Sequence, residues 1–127
     1  MKFIDANFIL RYLLGDPQAE KVRKVLESGE PLYMPEIVFA EVVWTLTSYY
    51  KWKKGIITDV LSKFLVLGNI KTDKKLLIQA LEIYRSANID YIDAFIAAFM
   101  FKKGNKEIYT FDKHFDKIKG IKRIEPR

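Results

Sequence analysis

Apolar residues fall along this chain in two alternating rhythms. Five short dense runs, "KFID", "PLYM", "NIKT", "EIYTF" and "KRIE", read as strands. Between them lie longer stretches with helical spacing. "NFILRYLLG" follows the first run directly. "GDPQAEKVRKVLESG" carries strong helix signals: Asp16 as N-cap, Pro17 at the first helical position and Gly29 past the end. "PEIVFAEVVWTLTSYYKWKKG" opens with Pro35 in its first turn and closes on lysines and Gly55, as helices prefer. "TDVLSKFLVLG" is a further helix. "DKKLLIQALEIYRSAN" sets Leu76, Leu77, Ala80, Leu81 and Tyr84 on one stripe, and "IDYIDAFIAAFMFKKG" completes the helices. Short strands separated by helices predict a parallel sheet covered on both faces. The expected fold is α/β: a three-layer α/β/α sandwich with a central five-stranded parallel sheet, in a single domain over residues 1–127. Functional residues in such sheets gather at the carboxyl ends of strands.

Composition narrows the class. Half the residues are hydrophobic, which excludes a disordered chain. The absence of cysteine rules out disulfides and thiolate metal sites and fits a reducing cytosol. The longest apolar run, "AFIAAFMF", is far short of the roughly 20 residues that cross a bilayer, and Asp5 interrupts any secretory apolar region. The chain therefore reads as soluble and cytoplasmic, with no membrane partner. Its net charge of +6 is uneven, since residues 102–127 hold nine Lys/Arg against four Asp/Glu. Such a surface attracts phosphate polymers; a merely solvated lysine face would look the same.

Four acids stand out against this background. Asp5 ends the first strand and Asp112 the fourth. Glu41 lies mid-helix in "IVFAEVVWTL", inside a stretch, residues 31–50, that contains no Lys or Arg. Val38, Phe39, Val42 and Val43 make that helix apolar almost all round, so Glu41 is expected to be buried. Asp93 has the same difficulty beside Ala94, Ala97 and Ala98. An unpartnered buried carboxylate costs several kcal/mol, and these segments hold no buried base. A divalent cation among clustered carboxylate oxygens resolves the conflict, Mg²⁺ or Mn²⁺ being the hard ions that keep room for phosphate. Individually, capping explains some of them. Asp5 or Asn7 can cap the first helix, Asp90 can cap the helix that carries Asp93, and Asp112 can open the turn "KHFDKI". Asp16, Asp59 and Asp73 are ordinary helix-start acids.

"FIDANFILRYL", "MPEIVFAEVVWTL", "YIDAFIAAFM" and "YTFDKHFDKI" together resemble, in order and spacing, the motifs of the PIN-domain family, most closely its VapC-type ribonuclease toxins. The resemblance runs over essentially the whole chain. It implies that Asp5, Glu41, Asp93 and Asp112 form an acidic quartet that binds Mg²⁺ or Mn²⁺ and is catalytic. Asn7 and Thr110 would orient Asp5 and Asp112, and Asp116 would add a nearby acid. The implied activity is endonucleolytic RNA hydrolysis, with a cognate VapB-like antitoxin as protein partner and a homodimer as assembly. The short "NIKT" strand and the basic C-terminal stretch are less typical of the family and bear on substrate choice.

Metal-assisted hydrolysis needs no nucleophilic side chain, which suits a chain whose single histidine excludes two-histidine acid–base nucleases. His114 is either a substrate contact or a surface turn residue. In "SYYKWKKG", Lys51, Lys53 and Lys54 among aromatics suit RNA binding; alternatively they complement a helix dipole. Phe95, Phe99, Met100, Phe101 and Trp52 are candidates for a dimer face, an antitoxin groove or ordinary core. Three rival functions remain: a stand-alone PIN nuclease in RNA processing, a non-catalytic RNA- or protein-binding module, and a phosphotransfer receiver. The last does not require Glu41.

Overall fold

The computed structural model describes residues 1–127, which divide into two compact units, Met1–Lys74 and Lys75–Arg127. In the first unit the strands are β1 (Lys2–Phe3), β2 (Leu32–Tyr33) and β3 (Ile70–Lys71), all parallel in the order β1-β2-β3. Backbone bonds carry the pairing past the assigned ends: Ile4 N donates to Tyr33 O at 3.0 Å and Met34 N to Lys71 O at 3.0 Å. Ile4, Leu32, Met34 and Ile70 are thereby buried. "KFID" is less buried than its pattern suggested, because Lys2 and Phe3 both face solvent.

Four helices surround these strands: α1 (Ala6–Leu14), α2 (Ala19–Glu27), α3 (Glu36–Ser48) and α4 (Lys54–Leu65). α1 ends where Gly15 adopts φ 65, the left-handed conformation that glycine takes without a Cβ clash. α2 starts later than its signals indicated. Asp16 Oδ1 instead accepts from Gln18 N at 2.7 Å, closing a turn before the helix begins. α2 buries only Val22 and Leu26, one turn apart. Asn69 joins distant segments here, its Nδ2 donating to the carbonyls of Leu26 and Glu30 at 3.0 Å each.

The helix expected to run to Gly55 stops at Ser48. Trp52 N returns to Leu46 O at 2.9 Å, Lys51 takes a positive φ of 58, and Lys53 and Lys54 open α4. The sequence contains no proline or glycine between Ser48 and Lys54 to mark that break, so periodicity runs through it.

The second unit contains α5 (Lys74–Ser86, starting one residue earlier), α6 (Tyr91–Lys102), β4 (Glu107–Tyr109), a 3-10 helix (Lys113–Lys117) and β5 (Lys122–Ile124). α5 buries Leu76, Leu77, Ala80, Leu81 and Tyr84, the stripe its spacing predicted. α6 buries Tyr91, Ala94, Ala97 and Ala98, whose small side chains permit close packing. β4 and β5 are parallel, with Tyr109 opposite Ile124.

All five strands therefore form where the apolar runs predicted them, but they pair as a three-stranded and a two-stranded sheet rather than one of five. Strands of two or three residues, at or below the short end of the usual range, are set by a handful of hydrogen bonds. An apolar run does not specify its neighbour. No helix is long and apolar enough to cross a membrane.

Candidate metal centre

In the second unit two of the four acids meet. Asp93 lies in the first turn of α6, and Asp112 follows β4 as the N-cap of the 3-10 helix. Asp112 is held at several points. Its own N–H donates to Thr110 Oγ1 at 3.0 Å, and its Oδ1 accepts from the His114 N–H at 2.8 Å. The cap reading of Asp112 is thus realised, and it is compatible with a second role because a cap occupies one carboxylate lone pair. His114 Nδ1 stands 2.8 Å from the same Oδ1. Ligand atoms of Asp93, Asp112 and His114 all lie within 4.8 Å of one another.

The electrostatics follow from this packing. Burial pushes the Asp93 carboxyl above the usual carboxylate range, and the charges of Asp112 and then Asp90 push it further, against His114. Asp90 occupies the α6 N-cap position without a side-chain capping bond, so its charge stays available to do this.

Asp116 is turned to another use. Its Oδ1 accepts from Arg123 Nε at 3.1 Å, while Arg123 Nη1 donates to Glu125 at 2.7 Å. Thr110 touches Asp112 only through the backbone bond described above.

In the first unit Asp5 is the N-cap of α1, its Oδ1 accepting from Phe8 N at 2.9 Å. Asn7 Oδ1 accepts from Arg11 Nε at 2.9 Å, and Arg11 also reaches Asp16 at 3.1 Å. Glu41 overturns one expectation: it is exposed, not buried. α3 is two-faced after all, with Phe39, Val42, Val43 and Leu46 inside and Ile37, Glu41 and Trp44 outside. Two large apolar residues on the outer face, Ile37 at 79% and Trp44 at 64% exposure, hid that division from the sequence pattern. None of the four carboxylates is fully buried. Asp5 and Glu41 are exposed, Asp93 and Asp112 half-buried.

Lys51 and Lys53 are exposed and Lys54 half-buried. Lys53 and Lys54 do not complement a helix C-terminus, since they stand at the start of α4, where the dipole opposes positive charge. The contact of His114 with the acids was the residue-level feature that sequence reading missed. A histidine two residues beyond a capping Asp, on the same tight turn, was its available signal.

A profile of the PIN domain family matches residues 2–121, and the chain belongs to that family. The family expected from the four motifs is the one found. Among characterised proteins the chain is similar to the VapC ribonuclease of Aquifex aeolicus (strain VF5). The two share 29% identity over 133 aligned positions, which take in 99% of this chain and 97% of that one.

Proposed function

We propose that this protein is a metal-dependent endoribonuclease, the toxin of a VapBC-type toxin–antitoxin pair. The observation that carries the reading is the approach of Asp93 and Asp112 within a chain of the PIN family. Two carboxylates drawn together, one of them pushed up by burial and like charge, form a donor set that a dication stabilises. Oxygen donors with a half-open surface suit Mg²⁺ or Mn²⁺. Asp5, Glu41, Asp93 and Asp112 are the proposed ligands. A bound dication supplies Lewis acidity toward the scissile phosphate and activates water for attack.

The chain's own residues do the rest. Thr110 fixes the backbone of Asp112 and the cap on the 3-10 helix fixes its carboxylate, so its free lone pairs keep one direction. Lys51, Lys53 and Lys54 contact substrate phosphates, and the net charge of +6 favours RNA at long range. Similarity to a protein named VapC ribonuclease supports RNA as the substrate. The proposed partners are a VapB-like antitoxin and a second copy of the chain.

Incubation with single-stranded RNA in Mn²⁺ tests the reading. Cleavage is expected, abolished by EDTA and by Asp112→Asn. RNA retained uncut with or without chelator indicates a binding module and defeats the proposal.

A further inference from the structure

Resting on the dication proposed above, we infer that His114 is a nitrogen ligand of the centre and biases it toward transition metals over Mg²⁺. Three observations lead there. The first is distance. His114 Nδ1 lies 2.8 Å from Asp112 Oδ1, a hydrogen-bonded contact whose proton an ion would replace, and neighbouring donors on an octahedral ion with bonds of about 2.1 Å stand about 3 Å apart. The second is proximity: one donor atom each from the imidazole and both carboxylates lies within 4.8 Å of the others, close enough for one ion to reach all three.

The third is preorganisation. The His114 N–H is tied to Asp112, which fixes the root of the ring. The 3-10 helix that carries it is anchored by buried Phe115, with Ile118 buried just beyond its end. Asp116 is held by Arg123, and Lys117 Nζ donates to the Asn88 carbonyl at 3.2 Å. The ring itself remains exposed, open to an incoming ion.

The chemical consequence is selectivity. Mg²⁺ prefers oxygen and gives up water reluctantly, whereas imidazole binds later first-row ions with rising strength. His114 therefore adds affinity in the order Mn²⁺, Co²⁺, Ni²⁺ and almost none for Mg²⁺.

The test compares the full-length protein with His114→Ala and His114→Gln, folding being confirmed by circular dichroism. Calorimetric titrations use Mg²⁺, Mn²⁺ and Co²⁺, and pulsed electron paramagnetic resonance on the Mn²⁺-loaded protein looks for coupling to nitrogen-14. The expected result is nitrogen coupling in the wild type and none in either variant. Co²⁺ affinity should fall on the order of tenfold or more, with Mg²⁺ affinity essentially unchanged. Absent coupling in the wild type, or an equal loss for all three ions, overturns the inference and leaves His114 as a hydrogen-bonding prop of Asp112. A wild type that binds no dication is a different failure, which removes the metal reading as well.

Discussion

Asp93, proposed above as a metal ligand, also ties stability to pH. Its folded-state pKa is raised, so the metal-free fold disfavours the ionised form relative to the unfolded chain. The protonated form's contribution is full below the ordinary carboxylate range and is lost as pH rises through the raised value. The metal-free wild type should therefore lose stability relative to Asp93→Asn as pH rises above the ordinary carboxylate range. Above that range the variant's melting midpoint should lie higher than the wild type's, while RNA cleavage is lost. Thermal scans at several pH values check this; a gap that closes toward neutral pH refutes it. Thr58 offers a contrast without function. It is buried in α4 and its Oγ1 has no hydrogen-bond partner. Thr58→Val removes an unsatisfied polar atom at nearly constant shape and should stabilise by about 1 kcal/mol, read from urea midpoints. Of the acids, the sequence revealed identity better than environment. Asp5 and Asp112 were legible as caps from their place before a helix. The exposure of Glu41 was not, because Ile37 and Trp44 disguise an outer face as core.

Among the elements, spacing located every strand and α-helix, while the 3-10 helix reads from the sequence as a turn, and the largest boundary error has a definite cause. α3 and α4 are separated by residues 49–53, which include Lys51 in a left-handed conformation but no glycine. A non-glycine residue there gives no sequence signal. The consequence reaches function, since Lys51 and Lys53 are displayed on the connection rather than absorbed by a helix end. Tyr49 and Tyr50 stack edge to face beside them, ring centroids 4.8 Å apart. If each lysine neutralises one phosphate of single-stranded RNA, the double variant Lys51→Ala/Lys53→Ala should reduce the slope of log affinity against log salt by about 1.4. Fluorescence anisotropy with an uncleavable RNA, over a salt series, measures it. An unchanged slope takes these lysines out of the interface.

At the scale of the molecule, charge and apolar surface make opposite demands. The chain carries +6 and a sequence pI of about 9.4, so two copies repel one another. Yet α6 presents Ile92 and Phe99 to solvent at 54% and 41%, with Phe95 6.3 Å from Phe99 by ring centroid and Lys103 Nζ above the Phe99 ring. Exposed apolar side chains on one helix are the kind of surface that associates, and a stable homodimer buries on the order of 1,200–2,000 Å². If α6 supplies that surface, hydrophobic burial drives pairing while like charge opposes it. Salt screens the repulsion and leaves the apolar term intact. The homodimer should then tighten as salt rises, the reverse of RNA binding, whose affinity falls with salt. Sedimentation velocity over a concentration and salt series separates the two effects, with Phe99→Glu expected to shift the population to monomer at every salt. Association that weakens with added salt, or that survives Phe99→Glu, would place the contact on charged surface and exclude α6.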